Sequence, residues 1–220
     1  MLNLSINRRV ELKSGIEWIK SSFITLRESP LQFIILGVCS TLISLMPALG
    51  AFMAPLFLAK FASLTVMVER RETIRLSSIF DGFFTNKTVL RLAFLNFCLN
   101  TLLLIVQYIV ESGLKSYGID LAAQSTSIML AFFIPILLLQ VALWLSPVIC
   151  FFHPEIQPLQ AMWLSIKACC FNVVTLFLYS LLVLFFTILA IVPLGLGLLI
   201  WLPMLNIVTY FIYKSMFINQ

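Results

Sequence analysis

Residues 29 to 59 carry no charged side chain. An α-helix rises about 1.5 Å per residue, and about 20 apolar residues cross the hydrocarbon of a bilayer. The run is too long for one crossing and too apolar for water, so it must be broken. MPALGA at 46–51 supplies the break: Pro47 and Gly50 predict a tight turn between helices over 31–47 and 50–68. Composition extends this conclusion to the whole chain. With 61% hydrophobic and 10% charged residues, and a mean hydropathy of +1.08, it departs far from soluble domains, in which about a quarter of residues are charged. The sequence predicts an all-α polytopic membrane protein forming one integral domain over 1–220.

A third span is expected at 92–110, between Arg91 and Glu111, and its partner at 127–149, with Pro135 inside it. A last hairpin is expected at 173–192 and 196–213, turned by VPLGLG at 192–197. About six spans in three hairpins, 31–68, 92–149 and 173–213, place both termini on one side. The basic residues agree with this arrangement. Arg8, Arg9, Lys13, Lys20 and Arg27 precede the first span, and Arg70, Arg71, Arg75, Lys87 and Arg91 lie between the second and third. Lys167 and Lys214 fall on the same face, and Lys115 alone faces the other, so the positive-inside rule assigns both ends to the cytoplasm. The net charge of +5 is distributed as membrane topology requires, and no nucleic-acid partner is expected. The first thirty residues intersperse charge among apolar positions and contain no signal-peptide core, so this segment is expected to stay attached.

The segments between hairpins have their own periodicity. Leu12, Ile16, Ile19, Phe23 and Leu26 recur at helical spacing within residues 1–29, describing an amphipathic helix over about 11–28 that lies in the membrane interface. PLQAMWLSIKACCF at 158–171 reads the same way, with Pro158 suited to a first helical turn; IRLSSIFDGFF at 74–84 is a shorter, weaker version. A threefold plan emerges: interfacial helix, span, turn, span. Trp18 matches Trp163, Pro47 matches Pro193 and Gly50 matches Gly195.

The segment PLQAMWLSIKACCFN, from Pro158 to Asn172, is followed by a span and then by PLGLGLLIWLP, from Pro193 to Pro203. Together with the Trp18 segment, these residues resemble a family of uncharacterised proteobacterial six-span inner-membrane proteins. The likeness covers most of the chain and is weakest over 85–150. It implies a bacterial inner-membrane location and carries no catalytic or binding residue to transfer. More distantly, the plan of amphipathic helix and hairpin is similar to membrane domains attached to some glycerophosphodiester phosphodiesterases, which implies a lipid-facing environment.

No catalytic constellation is legible. His153 stands beside Pro154 and Glu155 without a nucleophile, and the three are expected to end one helix and cap the next. Cys150, Cys169 and Cys170 lack paired ligand spacing, so no metal, cofactor or disulfide is expected. The polar residues inside spans are more informative. Lys60 stands within the second span, where a lysine costs about 2.5–3.5 kcal/mol. Asn96, Asn100 and Gln107 share one stripe of the third span, with Gln140 and Asn206 at comparable depth on the fourth and sixth. One reading makes the amides interhelical hydrogen-bond bridges worth about 0.6–2 kcal/mol each and lets Lys60 snorkel to the headgroups. The other gathers Lys60 and the amides into an interior site for an anionic ligand or lipid headgroup.

The leading functional expectation is a non-enzymatic inner-membrane protein in envelope maintenance, or an accessory or scaffold subunit. It would contact membrane lipids and a membrane-protein partner or a second copy of itself. The alternative is a small-molecule or lipid transporter or binding protein. A lipid-modifying enzyme is a third class, for which candidate residues are missing.

Overall fold

The computed structural model describes the backbone of residues 10–116 and 121–218, and their side chains apart from 111, 114–116, 121–132 and 134. The side chain of Lys115, on which the expected topology draws, and residues 117–120 lie outside the described part. The described residues form eight α-helices and no strand: α1 Ser14–Glu28, α2 Pro30–Ser44, α3 Pro47–Glu69, α4 Lys87–Ser116, α5 Leu121–Phe152, α6 Pro158–Phe171, α7 Val173–Ile191 and α8 Leu198–Phe217. Five are long and apolar enough to cross a membrane. A sixth crossing is reached if α1 and α2, bent by 109° at their junction, count as one broken span.

The first hairpin turns earlier than the sequence predicts. α2 is 15 residues long and stops at Ser44. Pro47 begins α3 instead of sitting in the turn, because its missing N–H costs nothing at the first helical position. Gly50 therefore lies inside α3, where a Cβ would stand 2.9 Å from the Ser44 Cα, and its absence lets the two helices meet closely. The last hairpin is built differently. Leu194 and Gly195 take left-handed φ angles of 54° and 79°, and the Gly195 N–H donates to the Ile191 carbonyl at 2.9 Å. The two turns that align in sequence are thus not structural equivalents.

The unit order itself recurs. α1–α2–α3 and α6–α7–α8 are each three consecutive helices broken at Ser29 and Asn172, although α2 is no longer than α1 at 15 residues, whereas α7 and α8 exceed the 14 residues of α6. In the middle unit, 74–84 contributes one 3-10 turn at Ser77–Ile79, and α4 and α5 extend to 30 and 32 residues, beyond the expected 92–110 and 127–149.

α8 is the most enclosed helix, with eleven buried residues from Trp201 to Phe217, while α7 buries only Thr175 and Tyr179. At the charged end of the bundle, Glu69 of α3 accepts from the Tyr210 hydroxyl and the Lys214 ammonium of α8, both at 2.7 Å. α1 shows two faces. Gly15, Trp18, Ser22, Thr25 and Leu26 turn inward, with Trp18 edge-on to Tyr179 at 5.7 Å, whereas Leu12, Ile16 and Phe23 of the apolar stripe remain exposed. The chain before α1 is fastened as well: the Val10 N–H donates to Asn172 Oδ1 and its carbonyl accepts from the Thr175 hydroxyl, both at 3.0 Å.

Candidate functional site

Proline inside a helix leaves one carbonyl without its helical donor, four residues back. Pro55 of α3 does this to the Ala51 carbonyl, and a membrane-spanning helix needs the missing bond replaced by a neighbouring group. Asn96 of α4 supplies it, with Nδ2 donating to the Ala51 oxygen at 2.6 Å. Asn100, one turn along, donates to both the carbonyl and Oδ1 of Asn96, at 2.9 and 2.6 Å. Two asparagines spaced by four are therefore one unit: the first closes the gap that Pro55 opens, and the second orients the first.

This pair forms one wall of a cavity of about 580 Å³ between α2, α3, α4, α5 and α8. Gln140 and Trp144 of α5, Asn206 of α8, and Ser40 and Ser44 of α2 complete its polar lining, and no acidic or basic residue borders it. The Asn206 Nδ2 is held by the Leu202 carbonyl at 3.1 Å. Gln140 is exposed, and its amide makes no hydrogen bond among the described residues. The lining runs from Pro47 to Leu58 along α3, about 16 Å of helix.

A side chain from α6 sets the position of α5 in this wall. Ser165 Oγ donates to the Val141 carbonyl at 2.7 Å and accepts from the Leu145 N–H at 3.3 Å, so it stands inside the i to i+4 ladder of α5. Two residues on, Pro147 removes the N–H that would meet the Leu143 carbonyl. Val141, Leu143, Trp144 and Pro147 all border the cavity, so the irregular stretch of α5 is the stretch that lines it.

Four of the six residues singled out from sequence, Asn96, Asn100, Gln140 and Asn206, meet in this cavity. Gln107 does not border it. It shares the helical face of Asn100 but stands about 10 Å further along α4. Lys60 is also elsewhere. Its ammonium donates to the Asp81 carbonyl at 2.7 Å, in the segment between α3 and α4, and it lines a separate hollow of about 150 Å³ with Ser63, Thr85 and Asn86. The expected cluster of Lys60 with the amides is therefore split. Lys60 reaches toward the charged end, as snorkelling requires, and its ammonium ends on the loop carbonyl of Asp81.

His153, Pro154 and Glu155 follow the end of α5 as expected, but they do not cap the next helix. α6 begins at Pro158 with no side-chain cap, and the imidazole bridges two elements, with Nδ1 3.3 Å from Glu155 Oε1 and Nε2 2.9 Å from the Tyr213 hydroxyl. Cys169 is buried, and burial pushes its thiol up to about 11, which keeps it protonated near neutral pH. Sequence reasoning missed the roles of Pro55, Ser165 and Asn172. For Pro55 a signal existed, since a proline within a span calls for an amide on a neighbouring helix. No family model, curated protein or solved structure matches this chain.

Proposed function

We propose that this is a non-enzymatic multi-pass protein of a bacterial cytoplasmic membrane, with both termini in the cytoplasm, that holds a neutral hydrogen-bonding ligand or lipid group in its amide-lined cavity. The observation that carries the reading is the convergence of Asn96, Asn100, Gln140 and Asn206, from three helices, on one space without charge. Amides offer donors and acceptors together, which suits hydroxyl or amide groups. A bare ion leaving water would meet no compensating charge there, at a cost of several kcal/mol. This replaces the anionic ligand of the sequence-based alternative with a neutral one and removes Lys60 from the site. A second reading, an accessory or scaffold subunit serving envelope maintenance, is supported by the exposed apolar faces of α1 and α7, including Ile16, Phe23, Phe177, Leu184 and Ile188.

Native mass spectrometry of protein extracted with its own lipids separates the two. The binding reading expects a retained neutral species that Asn100→Leu with Gln140→Leu removes and Lys60→Met leaves in place. An unchanged profile in the amide variant, with a protein partner retained instead, would favour the scaffold.

A further inference from the structure

The first turns of α4 carry two cations in an unfavourable place. Lys87 opens the helix and Arg91 follows one turn later, on the same face. Like charges at this spacing repel, and cations at a helix N-terminus oppose its dipole. Neither makes an ion pair among the described residues, where salt bridges occur only at His153–Glu155 and Lys214–Glu69. Both side chains are exposed. The backbone donors of this turn are already engaged, since Asn86 Oδ1 accepts from the N–H groups of Thr88 and Val89 at 3.0 and 3.2 Å. What remains unanswered is the charge of the two side chains.

Two hollows meet at Arg91. One, about 560 Å³, is bordered by Lys87, Thr88, Arg91 and Pro154 among others; the Thr88 hydroxyl donates to the Pro154 carbonyl at 2.7 Å and joins α4 to the segment after α5. The second, about 400 Å³, continues along α4 past Phe94, Leu95 and Cys98, with Pro158 and Leu159 of α6 as its other side. Arg91, Phe94, Leu95 and Cys98 stand at i, i+3, i+4 and i+7, so the basic hollow passes directly into an apolar groove on one helical face. No acidic residue borders either hollow. Asp81 lies at the Lys60 hollow, and Glu155 faces His153.

We propose that this composite groove binds one anionic phospholipid, its phosphate held by Lys87 and Arg91 and an acyl chain lying over Phe94, Leu95 and Cys98 against Leu159. A free phosphate would satisfy the cations but leave the groove empty, whereas a phospholipid places charge and hydrocarbon in the order in which the surface presents them. Arg91, at the junction, can take two phosphate oxygens with its planar fork. This site is separate from the amide-lined cavity, which Lys87 and Arg91 do not border.

The test titrates delipidated full-length protein in micelles with phosphatidylglycerol or phosphatidylcholine and counts bound lipid by native mass spectrometry. One phosphatidylglycerol should bind more tightly than the rest and more tightly than phosphatidylcholine. Lys87→Gln with Arg91→Gln should weaken that site about twenty-five-fold, from about fivefold per charge. Arg70→Gln with Arg75→Gln, which removes the same charge from the exposed loop after α3, should leave it within twofold. Cys98→Phe, which fills the groove and keeps both cations, should also weaken phosphatidylglycerol. This second variant tests the groove even if the double variant folds poorly. Equal binding of the two lipids, or an equal loss in the Arg70 and Arg75 control, would overturn the proposal, as would a Cys98→Phe protein that binds phosphatidylglycerol unchanged.

Discussion

Asn96 does at the scale of one residue what water would do in a soluble helix. It donates to a carbonyl that Pro55 has left without a partner, on a half-buried residue at the wall of the amide-lined cavity. Removing the amide should therefore cost the desolvation of that carbonyl, about 1–3 kcal/mol, and not merely one bond's net value. Asn96→Leu is expected to lower thermal stability in detergent by that amount. Pro55→Ala restores an N–H to α3 and gives Ala51 its own helical donor, so Asn96→Leu should be far milder in that background. A coupling of about 1 kcal/mol or more in the double-mutant cycle is the expected result, and strictly additive effects would show that the 2.6 Å contact is not replacing the lost helical bond. Lys60 shows the limits of reading single residues. A lone cation in a span was visible, but its partner, Asp81, is twenty-one positions away in a segment whose return path no periodicity encodes.

Among elements, the junction between α6 and α7 carries the connection that sequence reasoning did not supply. Asn172 and Thr175 hold both backbone groups of Val10 and so tie the start of the first unit to the third. Asn172→Ala with Thr175→Val should free the chain ahead of α1, giving faster limited proteolysis before Ser14 and a loss of about 1–3 kcal/mol. Proteolysis unchanged in the double variant would refute the clamp. Helix identity was legible because the spans are apolar over whole helical lengths. Of the apolar stripe expected over 11–28, Leu12, Ile16 and Phe23 are exposed and Leu26 turns inward, and the rest of the inward face of α1 was not legible, because Gly15, Ser22 and Thr25 have no hydrophobic signature. They are inside because small residues permit close approach. The same limitation explains the misplaced first turn: proline marks both turns and helix starts, and only the contact between Gly50 and Ser44 decides which. The amide stripe on α4 was read correctly as an angle, yet angle does not give depth, and Gln107 stays outside the cavity for that reason.

Taken as a whole, the molecule has one charged end, where Glu69, Tyr210 and Lys214 join α3 to α8, and an opposite end with short apolar turns. If the proposed orientation holds, a cysteine replacing Leu194, 97% exposed in the α7–α8 turn, labels with an impermeant maleimide from outside the cell, and one replacing Asn86 labels only after the membrane is opened. Labelling of both from the same side would refute the alternation. α2 adds a constraint of another kind. Its 15 residues span about 22 Å, while the hydrocarbon of a typical bilayer is about 30 Å thick. α1 turns away by 109° at the start of α2, so the two make at most a broken crossing and not one straight helix. A crossing made by α2 alone would leave a hydrophobic mismatch, which a dimple of thinned bilayer around the first hairpin would meet. Ser40 and Ser44, part of the lining of the amide-lined cavity, lie on that short helix. Acyl-chain length in the host membrane would thereby set how deeply the cavity sits below the headgroups, and membrane thickness becomes a control on access to it.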